Sequence, residues 1–103
     1  MSQFDVHSNP SRLGRDDRPF LLVVQTRFLD HLKTRICAPL FVEHAFHPEP
    51  HLNPRLRVTG RNFYLSPTEL VTLPVRLLGK PVTNFEDQRD RIIAALDLVF
   101  LGI

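Results

Sequence analysis

Two periods of hydrophobic spacing run along this chain. Up to residue 79 the apolar positions come in short runs or alternate with polar ones, as strands require; from residue 85 they recur every third or fourth position, as a helix requires. Residues 3–7 ("QFDVH") alternate and predict a first strand. Residues 20–25 ("FLLVVQ") form a continuous apolar, β-branched run, which predicts a well-buried strand. Phe28 and Leu29 then fall on a turn beyond it. Residues 34–41 ("TRICAPLF") predict a third strand, whose Pro39 implies an edge or a bulge. Residues 56–59 and 62–65 predict a hairpin turning at Gly60 and Arg61. "SPTEL" reads as a short helical start, with Ser66 as cap, Pro67 first in the helix and Glu69 closing a capping box. Residues 73–79 ("LPVRLLG") predict a last strand closed by Gly79.

The intervening segments are polar. Residues 8–19 cluster Pro, Gly, Asn and Asp with many charges, which predicts a mobile loop. Residues 47–55 carry Pro48, Pro50 and Pro54 and cannot form a helix interior.

The final helix has the clearest pattern. Asn84 can cap it, and Glu86 and Asp87 suit the positive end of its dipole. Phe85, Ile92, Ile93, Leu96, Val99, Phe100 and Ile103 follow one face, with the aliphatic stem of Arg89. Leu98 and Leu101 do not belong to that face. At about 100° per residue they lie with Ala94 and Asp97 on the opposite side. Either the helix is buried on both sides, or its end carries a patch for a partner; spacing leaves both open.

The fold class that follows is mainly β: about five or six strands and then one helix, in a single domain over residues 1–103. A chain this short buries only about two thirds of its unfolded surface, so dimerisation would help it. Hydrophobic residues make up 43% and charged residues 23%, values that exclude a disordered chain. The net charge is only +2, and Lys33 and Lys80 are the only lysines. So slight an excess does not indicate nucleic acid. The single cysteine, Cys37, forbids an internal disulfide and lies in an apolar run, as a buried thiol would. With a polar start and no apolar run near the roughly 20 residues of a membrane span, a cytoplasmic protein without membrane contact is expected.

Candidate chemistry is sparse. His44, His47 and His51 have helical spacing for Zn²⁺, but Pro48 and Pro50 oppose the helix and no further ligands complete a site. There is no nucleophile elbow and no glycine-rich phosphate loop. No metal, cofactor or catalytic residue is expected.

Several stretches, taken in order, resemble the CcdB family, toxins of plasmid and chromosomal toxin–antitoxin modules. "IIAALDLVFLGI" is similar to that family's C-terminal helix, which ends in an Asn-Leu-Met-Phe-Trp-Gly-Ile run. "SQFDV" resembles its opening strand, "VVQTRFLD" its Val-Gln-Ser-Asp-Ile-Ile-Asp segment, and "APLF" and "LPVRLLG" two further strands. The loop at 8–18 and the stretch at 43–54 do not align.

The resemblance implies a small SH3-like antiparallel barrel with a C-terminal helix, in a symmetric homodimer. It implies binding to the A subunit of DNA gyrase that traps the cleaved gyrase–DNA complex, and neutralisation by a cognate CcdA-like antitoxin. No catalysis and no sequence-specific nucleic-acid binding by the toxin are implied. The gyrase contacts carry over as Phe28 and Leu29 for a pair of isoleucines, Asp97 for an asparagine, Leu101 for a tryptophan, and Gly102 and Ile103 unchanged; Arg27 replaces an Asp. Two rivals stand beside this reading. One is an antitoxin-binding homologue with little or no gyrase poisoning, suggested by Leu101 in the tryptophan's place. The other is an mRNA endoribonuclease of the MazF and Kid type.

Overall fold

The computed structural model describes residues 2–103. Its strands are β1 (Asp5–Ser8), β2 (Phe20–Val23), β3 (Thr34–Val42), β4 (Arg55–Val58), β5 (Arg61–Leu65), β6 (Val71–Pro74) and β7 (Thr83–Asn84); α1 spans Arg89–Leu101. All pairings are antiparallel, in the order β4-β5-β3-β2-β1-β7 with β6 also on β3, and they form a nearly closed barrel. The mainly-β architecture with one terminal helix is as expected.

Several local expectations change. β3 is the central strand, not an edge: it pairs β2 on one side, and β6 and then β5 on the other. Pro39 is tolerated because it sits in the gap between Cys37, the last residue paired to β6, and Leu40, the first paired to β5. A missing N–H breaks no ladder bond there, and the Pro39 carbonyl still accepts from the Ser66 N–H at 3.0 Å. The hairpin turns at Thr59 and Gly60, one residue earlier than expected. Both have positive φ (50° and 82°), as a two-residue type I′ loop demands.

"SPTEL" forms a turn and no helix. The Ser66 hydroxyl does meet Glu69 at 2.7 Å, but the chain runs straight on into β6, whose pairing with β3 outweighs a single cap. The strand expected at 73–79 lies at Val71–Pro74 instead and is followed by a 3-10 turn, Val75–Leu77. In the charged loop, Arg15 donates to the carbonyls of Asn9, Pro10 and Ser11.

The sheet is buried on both faces. Val6, Leu22, Leu40, Val42, Leu56, Val58, Phe63 and Leu65 form the main core, closed by Phe4, Phe85 and Ile92. The other face carries a smaller cluster of Leu21, Val23, Cys37 and Leu78. Cys37 is fully buried, as expected, and the apolar setting pushes its thiol pKa up to about 11.

α1 explains the end of the chain. Asn84 does not cap α1: the helix starts at Arg89 after Gln88, which makes no side-chain cap, and Glu86 and Asp87 lie in the preceding 3-10 turn Glu86–Gln88, where the Asn84 side chain accepts from the Glu86 N–H at 2.7 Å. The fully buried residues of α1, Ile92 and Ala95, lie in its first two turns, with Ile93 and Leu96 packed beside them. Burying one such aliphatic side chain contributes about 1.5–3 kcal/mol. Phe100, assigned to the core by spacing, is 66% exposed. The face is periodic to the end, but the helix outruns the sheet beneath it.

Candidate functional site

The last turn of α1 is the first candidate surface. Gly102 adopts φ 73°, a left-handed cap, and its N–H reaches the carbonyls of Asp97 and Leu98 at 3.1 Å each. That closure needs positive φ, which glycine adopts without a Cβ penalty. It ends the helix cleanly and leaves Phe100, Leu101 and Ile103 exposed. Leu98 and Ala94 are exposed too, so α1 is not buried on both sides in the single chain. They line a groove of about 850 Å³ together with Pro48, Pro50, Pro54, Arg55, Arg91 and Ile103. No basic residue occupies the last turn. The half-buried Asp97 and the helix dipole place partial negative charge at the helix end, while Arg55 and Arg91 line the adjoining groove.

The second surface is the segment after β2. A 3-10 turn, Arg27–Leu29, is capped by the Thr26 hydroxyl, which accepts from the Phe28 N–H at 3.4 Å. Phe28 is 91% exposed, the most exposed large apolar residue described, and Leu29 and Leu32 are exposed beside it. Arg27 pairs with Glu86 at 2.8 Å, which ties this segment to the approach to α1.

The six residues singled out in the sequence therefore fall into two groups. Asp97, Leu101, Gly102 and Ile103 share one end of α1; Phe28 and Leu29 lie near its other end. The 13 residues of α1 separate these ends by about 20 Å. The three histidines near residue 47 stay on the exposed stretch 44–51, and no group of three or more His, Cys, Asp or Glu side chains suits a metal ion among the described residues.

Three features escaped the sequence reading. The groove lining from residues 48–55 has no pattern of its own, because prolines mark a loop without saying what it faces. The polar groups beneath the Phe28 segment, Gln25 and Arg35, are buried; both fall within the expected strands 20–25 and 34–41, but their polarity alone does not single them out as buried. His7 is also fully buried. Its Nδ1 meets the Gly79 carbonyl at 2.9 Å, and Nε2 has no partner. Burial lowers its pKa; the carbonyl and the charge of Asp5 oppose the shift.

Fold and surfaces together define a small β-barrel protein that presents an exposed, apolar helix end and a projecting turn. The chain belongs to the CcdB family, toxins of toxin–antitoxin modules: the family model described as "CcdB protein" matches residues 3–102. Among solved structures, the barrel is similar to an endoribonuclease in complex with its cognate antitoxin from Mycobacterial species, with a TM-score of 0.76 and 16% identity over 100% of this chain and 96% of that one. At that identity the likeness is one of fold. No curated protein sequence matches the chain. No helix among the described residues is long and apolar enough to cross a membrane.

Proposed function

We propose that this chain is a cytoplasmic CcdB-type toxin that binds the A subunit of DNA gyrase, holds the enzyme in its DNA-cleaved state, and is released by a cognate CcdA-like antitoxin. The binding surface comprises Phe28, Leu29, Asp97, Leu101, Gly102 and Ile103. The observation that carries the reading is the last turn of α1, where Phe100, Leu101 and Ile103 are exposed beyond the barrel in a chain of this family. An apolar helix end carrying Asp97 and the negative pole of the helix dipole suits a partner offering apolar contacts and a cation.

Homodimerisation completes the proposal. A two-fold dimer presents each element twice, and two contacts held in one body bind far better than either alone. It also lets the Phe28 turn of one chain act with the helix end of the other, which a single chain keeps apart. Catalysis is not required. Tighter binding to the cleaved state than to the others is enough to trap it. The test is expression without antitoxin, followed by assay for trapped gyrase–DNA complexes. Unimpaired growth with no trapped complexes rejects the reading.

A second reading follows from the endoribonuclease of similar fold, itself in complex with an antitoxin. Under it the purified chain cleaves RNA specifically and without metal, and incubation with RNA decides the matter. The weakly toxic, antitoxin-binding variant of the first reading predicts tight antitoxin binding with no growth arrest, because Leu101 lacks the tryptophan's aromatic face.

A further inference from the structure

The segment that projects Phe28 has no apolar anchor of its own. None of residues 26–34 is buried. A surface loop in that condition ordinarily samples several conformations. Here two buried polar side chains hold it from beneath.

Gln25 continues the line of β2 into the protein and is 7% exposed. Its Nε2 donates to the carbonyls of Leu29 (3.4 Å) and Thr34 (3.2 Å), and its Oε1 accepts from the Ile36 N–H (3.1 Å). One amide thus bridges the middle of the loop, its end and the strand that follows. Arg35 is 5% exposed. Its Nη1 donates to the carbonyls of Leu32 (2.8 Å) and Thr34 (2.9 Å), and its Nη2 to that of Asp30 (2.9 Å). The Asp30 carboxylate lies 3.8 Å from Arg35 Nε and also accepts from the Ser2 hydroxyl at 3.0 Å.

Four loop carbonyls, those of Leu29, Asp30, Leu32 and Thr34, are therefore drawn inward by two side chains. Turning these carbonyls in accompanies the outward display of Phe28, Leu29 and Leu32. The guanidinium is suited to the task because its donors sit in a rigid planar fork, which a lysine cannot reproduce.

The geometry points to Gln25 and Arg35 as positioning residues that preorganise the Phe28 surface for its partner. This rests on the gyrase reading above and names what gives that surface its affinity. A loop already in its bound shape loses less conformational freedom on binding. The two residues touch no partner themselves.

Gln25→Glu keeps the shape and the acceptor but removes the donor. Arg35→Lys keeps the charge but loses the fork. Each variant is compared with the wild type by Tm, by amide hydrogen exchange, and by affinity for the isolated gyrase A subunit, with and without Phe28→Ala. The expected results are faster exchange confined to residues 27–34 and an affinity lower by about tenfold. That loss shrinks to about twofold or less in the Phe28→Ala background, as two changes acting through one contact require.

Three outcomes overturn the inference. Unchanged loop exchange shows that the struts do not order the loop. A lower Tm with unchanged affinity of the folded protein shows that they serve stability alone. An equal affinity loss with and without Phe28 shows that they act elsewhere. The functional reading fails separately: a wild-type chain that does not bind the gyrase A subunit, or binds it equally well as Phe28→Ala, rejects gyrase contact through this turn.

Discussion

Arg27 and Glu86 meet at 2.8 Å across 59 residues of sequence, each side chain half exposed. The pair joins the projecting Phe28 turn to the approach to α1, at the end of the helix away from Leu101. Exposed pairs of this kind contribute only about 0.2–1 kcal/mol and weaken with salt. A double-mutant cycle of Arg27→Ala and Glu86→Ala, read by urea unfolding, is expected to give a coupling in that range that fades in high salt. A salt-independent coupling well above it contradicts the assignment of the pair as a solvent-screened contact.

The last residues are expected to be dispensable for folding. Leu101, Gly102 and Ile103 are all exposed and α1 buries nothing in its last turn. Deleting 101–103 is expected to shift stability by little more than a surface change, about 0.5 kcal/mol plus the loss of the glycine cap, while abolishing binding to gyrase. An unfolded truncated chain shows that these residues belong to the core of the folded protein or of its dimer.

Leu101 is the place to restore an aromatic face. Its side chain is 66% exposed, so Leu101→Trp meets no packing obstacle in the single chain. If the partner offers an arginine here, the gain is about 0.5–2 kcal/mol of cation–π attraction, which titration against the gyrase A subunit reads as a tighter Kd. An unchanged or weaker Kd rejects an aromatic-seeking cation opposite this position.

His7 makes stability depend on pH with a definite sign. Burial lowers its folded pKa below the ordinary value of 6.5. Between the two pKa values the unfolded chain binds a proton that the folded chain does not, so stability rises with pH. The contribution is complete above about pH 6.5 and is lost as pH falls toward the lower, folded value. Urea midpoints at pH 7.5 and pH 5 are expected to differ, and His7→Leu is expected to reduce the difference.

Cys37 behaves oppositely, since its folded pKa is raised to about 11 from 9.0. The unfolded chain ionises first, so stability is lost as pH rises between those values. At neutral pH the folded protein is expected to resist a thiol reagent until denaturant is added. Rapid labelling of the native protein contradicts the burial of this thiol.

What the sequence legibly carried was much of what depends on spacing and local chemistry. Apolar runs marked most of the strand-forming regions and 3.6-residue periodicity marked the helix, whereas Asn84, expected to cap that helix, bonds instead within the 3-10 turn before it. The misplacements arose where one element competed with another. The capping box at Ser66 and Glu69 formed its side-chain contact, yet β6 claimed the residues beyond it. Pro39 reads as an edge signal, because sequence cannot reveal that two different strands share one side of β3 and leave a gap opposite the proline.

The candidate site divides in the same way. The second stripe of α1, with Asp97, Leu98 and Leu101, could be counted off the sequence. Its exposure could not, because a periodic face says which way residues point and not how far the neighbouring sheet extends. Only the tertiary structure showed that the barrel supports the first turns of α1 and ends before Phe100. It alone brought Gln25 and Arg35 beneath the Phe28 loop, since a buried polar group is defined by partners distant in space. The sequence by itself determined the main strands, the terminal helix and the apolar character of the chain's end; the packing of sheet against helix decided which of those apolar residues are core and which face outward.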